Sequence, residues 1–482
     1  MVAEALAALV LLPLVAASAL LLLPSRLRWL AVLGGLLPMP PALIVLTAEL
    51  QRAGSVRLAL AGFDAPLGIV WQLDPLSALL IWLNVVIMGV VGLHAATRYR
   101  PRSAEGQPFW LLWLLLTGAM NALLLSADLF NLFVTLELVT LAAIGLLVID
   151  RKPAALRAAV RYLILALLGS LFYLLGVALI YGQTGILDLY LVGQAREADG
   201  LTHTALILMT LGLLIKAAIF PLHGWLPAAH SNAPGPVSAI LSAMVVKVAI
   251  YLIWRLWLWS GAEWELTAAL WGLGVLGAGA ILYGSLLAFT QPRLKQVIAY
   301  STVAQLGYLM LLFPLLGSVA FQAASFHLLS HGLAKAAMFL AAAHLLLRLG
   351  SDRLDDLRGA DRHLPLDVFT LAIAGITILG LPPSGGFIAK WLFVQTALEQ
   401  GQWLWVGVLL LGGLLAAGYL FRVLAVLCTR PVECNAPRPP SAADRLTGLI
   451  ALALALSALA IGLVPGPILE LLAAGLPPGV TP

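Results

Sequence analysis

Six of the 482 residues are lysine, and four of them, Lys216, Lys247, Lys335 and Lys390, fall inside apolar runs long enough to cross a bilayer. A lysine at mid-membrane costs roughly 2.5–3.5 kcal/mol even on a lenient insertion scale, and ionisable residues at that depth are functional candidates by default. Four unpaired lysines would cost on the order of 10 kcal/mol, comparable to the whole stability of a typical protein. Snorkelling does not remove that cost, because a lysine stem cannot reach the headgroups from a helix centre. Unlike arginine, lysine changes protonation readily when buried. Burial disfavours its charged form and a neighbouring carboxylate restores it, so a row of buried lysines can pass protons along.

The acid that could do the restoring is Glu137, in Asp128-Leu-Phe-Asn-Leu-Phe-Val-Thr-Leu-Glu137, the one acid near the middle of any apolar run. A Glu–Lys pair that can open and close is a switch as well as a stabiliser. His327, His331 and Lys335 are spaced four and four, which lays them along one helical face. Neutral histidine can accept a proton on one ring nitrogen and release it from the other. A metal site is the rival reading of the two histidines, but no carboxylate or cysteine accompanies them, so no metal is expected. His223 and His230 lie in and beside a proline-rich stretch, where they either line a pathway or cap freed carbonyls. Both readings stay open from sequence.

These residues need a scaffold, and composition names its class. Apolar residues make up 62% of the chain and charged ones 10%, against roughly 45–50% and 25% in soluble domains. A soluble enzyme is excluded. Fourteen apolar runs are separable, which leaves about 34 residues of chain per run with its connection, when a spanning helix needs about 20. The expectation is an all-α integral membrane protein of about 14 transmembrane helices, with little outside the bilayer. The first run, ending near Pro24, lacks a basic start and carries Glu4, so it reads as a first span and not a signal peptide.

Alternating the spans places eighteen of the 27 Lys and Arg residues in loops on one face and three (Arg52, Arg57 and Arg196) on the other. By the positive-inside rule the protein sits in the plasma membrane as a multi-pass protein with both termini outside. Lys152 and Lys295 are expected in the inside loops, and Arg255 and Arg422 near helix ends where they can snorkel. The net charge of +5 is accounted for by those loops and needs no nucleic-acid partner. Cys428 and Cys434 have no metal-ligand company and read as incidental.

Two spans are abnormal. The seventh runs Leu213–Pro236 with four prolines, and the twelfth contains Gly380-Leu-Pro-Pro-Ser-Gly-Gly before Lys390. Broken backbone at membrane depth is tolerated only where protein buries it or it lines a watery cavity. Two broken helices five spans apart, each with a lysine, suggest two inverted five-helix repeats and point to a conduction site. The expected organisation is a three-helix segment (1–100), a first repeat broken near 216–227 (101–260), a second broken near 380–390 (261–430), and a C-terminal loop and helix (431–482). No nucleotide fingerprint, haem or iron–sulfur spacing, or nucleophile elbow is present, so no cofactor is expected.

The same segments carry a resemblance. Leu73-Asp74-Pro75-Leu76-Ser77, the Asp128–Glu137 stretch and Lys216-Ala-Ala-Ile-Phe-Pro-Leu-His-Gly-Trp-Leu-Pro227 are similar to the antiporter-like, proton-translocating subunits of Mrp cation/proton antiporters and respiratory complex I. So are His230-Ser-Asn-Ala-Pro234, Met244-Val-Val-Lys247, His327–Lys335 and Gly380–Lys390. Together they cover roughly residues 70 to 430. The resemblance implies that Glu137 pairs with Lys216, that Lys247, Lys335 and His331 continue a hydrated mid-membrane axis, and that Lys390 sits by an exit half-channel. Within the family the chain most resembles the D-type subunit of Mrp antiporters. Pro227-Ala-Ala-His230 departs from the pattern, since many members carry an acid after that proline.

The resemblance implies a proton-translocating subunit of a multisubunit Na+/proton antiporter, a secondary transporter and not an enzyme, partnered by other membrane subunits. Two alternatives share the buried residues: a pump subunit of a redox complex such as complex I or a membrane-bound hydrogenase, and a proton-driven subunit of another solute-uptake system.

Overall fold

The computed structural model describes residues 1–195, 200–259, 267–429 and 441–480. Arg196, Arg430, Arg438 and Cys434 lie outside the described residues. Eleven described helices are long and apolar enough to cross a membrane. The remaining three of the fourteen expected spans are the two broken ones and the 17-residue helix Leu294–Met310. Every expected span thus has a helical counterpart, and the chain is a multi-pass membrane protein.

Local chemistry starts the key helices. Asp74 accepts from the Ser77 amide at 2.9 Å while Ser77 Oγ accepts from the Asp74 amide at 2.9 Å, a capping box ahead of Pro75–Ala96. Asp128 accepts from the Asn131 amide at 2.6 Å and so starts Leu129–Leu147, the helix that carries Glu137. One element departs from the all-α expectation. Val56–Ala59 pairs antiparallel with Val70–Leu73 in a small hairpin, in the connection expected to be loop. Four-residue strands are too short to show alternation against the apolar background of this chain.

Burial sorts the helices. Gly235–Trp259 is buried along its whole apolar window, and Pro75–Ala96, Gly106–Leu125 and Ser318–Leu349 along 72–78% of theirs, whereas the outer helices are buried along half of theirs at most. The helices carrying Lys247, His331 and Lys335 are therefore central. A helix apolar all round belongs inside such a bundle, and its few polar groups then face protein instead of lipid. Close approach depends on small residues. Gly169 and Gly212 press together so tightly that a Cβ on Gly212 would lie 2.2 Å from Gly169 O. That contact draws Gly200–Lys216 against Pro153–Thr184 just where Lys216 must reach its partner.

Both breaks occur where the prolines fall. The first half of the seventh span ends at Lys216, and helix resumes at Leu226–Asn232. Trp225 Nε1 donates to Ile215 O at 3.0 Å, joining the Ala218 amide (3.2 Å) on a carbonyl at the break, and its ring stacks on Tyr162 at 3.9 Å. The twelfth span divides into Pro365–Leu379 and Gly385–Glu399. Gly380, at φ +79°, makes the left-handed turn that ends the first part, a conformation glycine adopts without a Cβ penalty.

Candidate functional site

The first half of the site is an ion pair. Lys216 Nζ lies 2.5 Å from Glu137 Oε1 and 3.2 Å from Thr140 Oγ1, one turn along the Glu137 helix. Ser170 Oγ also donates to Glu137 Oε1. The lysine side chain is 4% exposed and the glutamate 19%. Three helices meet here, since Ser170 belongs to Pro153–Thr184 and Lys216 ends Gly200–Lys216. Lys216 takes this position because its helix stops there. Released from a continuous backbone, the lysine at the break can turn toward the carboxylate. A buried pair costs several kcal/mol per ion in desolvation, offset only when each partner is also hydrogen-bonded, and here Ser170 and Thr140 provide those bonds.

The second half contains cations and imidazoles. A π-helical turn at Leu241–Val245 precedes Lys247, whose Nζ donates to Ala243 O at 2.8 Å. Such turns cluster at functional sites. Lys247 Nζ lies against the main chain of Gly332, where a Cβ would meet it at 3.1 Å. The next residue back is His331, and its ring stacks on His327 at 5.7 Å between centroids and 4° between planes. His327 neighbours Tyr308 at 5.4 Å, and the Tyr308 ring receives Lys390 Nζ over its face at 4.6 Å. His331, His327, Tyr308 and Lys390 thus form one file of ring contacts, with Lys247 beside its start; neither ring nitrogen of His331 has a hydrogen-bond partner.

Lys335 leaves that file for the neighbouring helix, donating to Ile298 O at 3.0 Å and to Ser301 Oγ. Lys390 Nζ donates to Ile378 O at 2.9 Å and Leu379 O at 3.1 Å, two carbonyls at the end of the broken helix. The break that sequence flags by its glycines and prolines therefore supplies the ligands of the lysine that follows it. The charged or titratable groups within electrostatic reach of His331 are Lys247, Lys335, His327 and Lys390.

Placement differs from expectation at several residues. Lys295 is not in a loop: it is 2% exposed in the first turn of Leu294–Met310, donating to Ala233 O at 2.6 Å. Arg255 does not snorkel. It is buried in an ion pair with Asp74 and lies over the Trp259 ring at 4.1 Å, so a partner from a distant part of the sequence offsets the cost of burial. Arg422 is half-buried towards the end of Trp403–Cys428, donating to Gln291 O at 3.1 Å. His230 makes no hydrogen bond from either ring nitrogen and stacks on Phe339 at 4.5 Å. His223 sits among Phe220, Tyr283 and Tyr300, and its Nδ1 has no partner. Capping of Ile215 falls to Trp225 and the Ala218 amide instead. Tyr308, Ser301 and Ser170 escape a reading of the sequence, where neutral residues in an apolar helix carry no charge signal.

The model of the family described as "NADH:quinone oxidoreductase/Mrp antiporter, TM" matches residues 126–416, which include every residue of the pair and the file. The chain belongs to this family. Among its relatives, the N-type subunit of the NADH-quinone oxidoreductase of Desulforudis audaxviator is 36% identical over 83% of this chain and 80% of its own. The D-type subunit of the Na(+)/H(+) antiporter of Alkalihalophilus pseudofirmus is 27% identical over 79% of this chain and 77% of its own. A chain in the structure of the Mrp complex from Dietzia sp. DQ12-45-1b superposes with a TM-score of 0.90 at 27% identity, covering 99% of this chain and 97% of that one. The antiporter-like family therefore accounts for the whole fold and not only for its motifs.

Proposed function

We propose that the chain is the proton-translocating subunit of a multisubunit monovalent cation/proton antiporter, working as a secondary transporter with other membrane subunits around it. The observation that carries this reading is the pairing of Lys216 with Glu137 at membrane depth, beside a file of protonatable groups ending on a lysine at a second break. When the pair is closed, Glu137 and Ser170 hold the lysine and its proton. Opening it leaves the ammonium with Thr140 alone, and the proton is given up toward the second half. There Lys247, His331, His327 and Lys390 pass it on, with Lys335 a side branch held by Ser301. In this reading the two broken spans belong to two inverted five-helix repeats, and His223 and His230 line the way. The arginine-rich loops face the cytoplasm across the plasma membrane, leaving both termini outside.

A second reading is supported by one observation: the relative from an NADH-quinone oxidoreductase is 36% identical, the one from a Na(+)/H(+) antiporter 27%. In that reading the same axis is driven by electron transfer, and the redox chemistry belongs to partner subunits. Purification of the native complex decides between them. Small hydrophobic antiporter subunits as partners support the first reading, and flavin- or iron–sulfur-containing partners overturn it in favour of the second. Whichever complex it joins, Lys216→Ala should abolish proton-coupled transport in vesicles, and normal transport in that variant would defeat the relay.

A further inference from the structure

A polar cluster on the arginine-rich face stands apart from the file. His344 lies on the same helix as Lys335, two and a half turns further on, which turns it to the opposite side. Its Nδ1 is 2.8 Å from Asp367 Oδ2 and 3.0 Å from Oδ1, and its Nε2 is 3.5 Å from Asp444 Oδ1. The three residues come from three helices, Ser318–Leu349, Pro365–Leu379 and Ala442–Leu463. Asp367 is 1% exposed, so its charge is balanced from within the protein. Arg348 holds the other oxygen of Asp444 at 2.5 Å.

A cavity of about 360 Å³ reaches the cluster and is lined by His94, Arg98, His344 and Asp444 among others. His94, on Pro75–Ala96, has no hydrogen-bond partner on either ring nitrogen. Gly235–Trp259 presents only Gly235 and Pro236 here. The titratable and charged groups facing His344 are thus Asp367, Asp444, Arg348, His94 and, at the cavity wall, Arg98.

We propose that His344 is a second proton-binding site, filled from water in this cavity, and that its protonation state positions Lys390. The imidazolium has an N–H on each nitrogen, whereas the neutral ring has one. With a carboxylate beside each nitrogen, only the charged ring presents a proton to both. Returning that proton to the cavity turns a lone pair toward one carboxylate, which loosens a three-helix junction. The consequence travels along Pro365–Leu379, a rigid rod with Asp367 in its first turn and Ile378 and Leu379 at its end. About 16 Å separates Asp367 from the carbonyls that hold Lys390 Nζ. Histidine is the side chain whose ordinary titration spans the physiological range, so the junction responds to pH on that face.

The transport side of this proposal rests on the reading of Lys390 as a proton carrier, and the exchange experiment does not. Amide hydrogen exchange in the native complex, corrected for intrinsic rates, is compared at pH 6 and pH 8 over residues 376–390. The wild type should show a severalfold difference in protection that His344→Gln abolishes. A difference that persists in the variant, or is absent from the wild type, overturns the proposal. If His344→Gln does not assemble, Asp367→Asn replaces it: the protection step over residues 376–390, followed as a pH series, should move toward acid, and an unmoved step overturns the proposal. In vesicles, Asp367→Asn should move the pH step of transport toward acid by half a unit or more, because the ring has lost one of the two acceptors matching its charged form. An unchanged profile defeats the positioning role. If Lys390→Ala transports normally while the exchange result holds, the reading of Lys390 fails and the His344 site stands.

Discussion

The two lysines at the two breaks are held in opposite ways. Lys216 faces a carboxylate at 2.5 Å, whereas Lys390 faces two main-chain carbonyls and the ring of Tyr308. The first site can move a proton between its partners without changing its net charge, since an ion pair and a neutral pair sum to the same value. The second cannot, because every proton it takes adds a positive charge. Two unit charges 8 Å apart repel by about 2 kcal/mol at an effective dielectric of 20. The second half thus favours passing protons on, and the first favours keeping one until the pair is opened. Storage and conduction are divided between the halves by what surrounds a lysine, not by the lysine itself.

That contrast can be broken most directly at Glu137. Glu137→Gln keeps the shape and the Ser170 hydrogen bond but strands the Lys216 charge. Breaking a buried pair in this way costs about 3–5 kcal/mol. Transport in vesicles should fall to background and the melting temperature of the complex should drop. The double variant Glu137→Gln/Lys216→Met should recover most of the melting temperature and none of the transport. A double variant as unstable as the single one would mean that the pair does not carry the effect.

Lys390→Met tests the other half. It should also abolish transport, yet it strands no opposite charge. Its stability cost is that of leaving two carbonyls without a donor, about 1–3 kcal/mol each, offset by no longer burying an ammonium. Lys216→Met, which leaves the Glu137 anion behind, should be the less stable of the two by thermal denaturation. Equal stabilities would erase the distinction between the halves.

How far the sequence can be read follows the same division. The helices, both breaks, the four mid-span lysines and Glu137 are legible because each is a violation of an apolar background, and violations are visible one residue at a time. Partnerships are less so. Asp74 and Arg255 look like ordinary end-of-helix charges, and only packing between distant parts of the sequence shows that each neutralises the other. Lys295 sits at a run boundary, where one residue decides between loop and helix, and the boundary falls on the helical side. The hairpin at 56–73 and the π turn before Lys247 leave no mark in hydropathy, because both are changes of hydrogen-bond register within apolar sequence. The acceptors of Lys390 are main-chain atoms, which no side-chain pattern could announce.

The mildest test exploits that last point, since the main-chain acceptors depend on the turn that presents them. A Cβ on Gly380 would meet Lys390 Cδ at 2.7 Å, and its φ of +79° suits glycine. Leaving glycine's backbone freedom costs about 1–2 kcal/mol in the left-handed region. Gly380→Ala should therefore assemble with a slightly lower melting temperature, and it should slow transport severalfold without abolishing it, because the lysine is displaced but retained. The helix that ends at Lys216 is also followed by a left-handed residue, Ala218 at φ +53°, but that turn does not hold the Lys216 ammonium, whose acceptors are side chains that can follow it. An equivalent loss of rate from Gly185→Ala, at a left-handed glycine (φ +67°) with no atom within 4 Å of its Cβ position, would show that strain alone accounts for the effect. A rate unchanged there and reduced at Gly380 would place the difference between the halves in the turn itself.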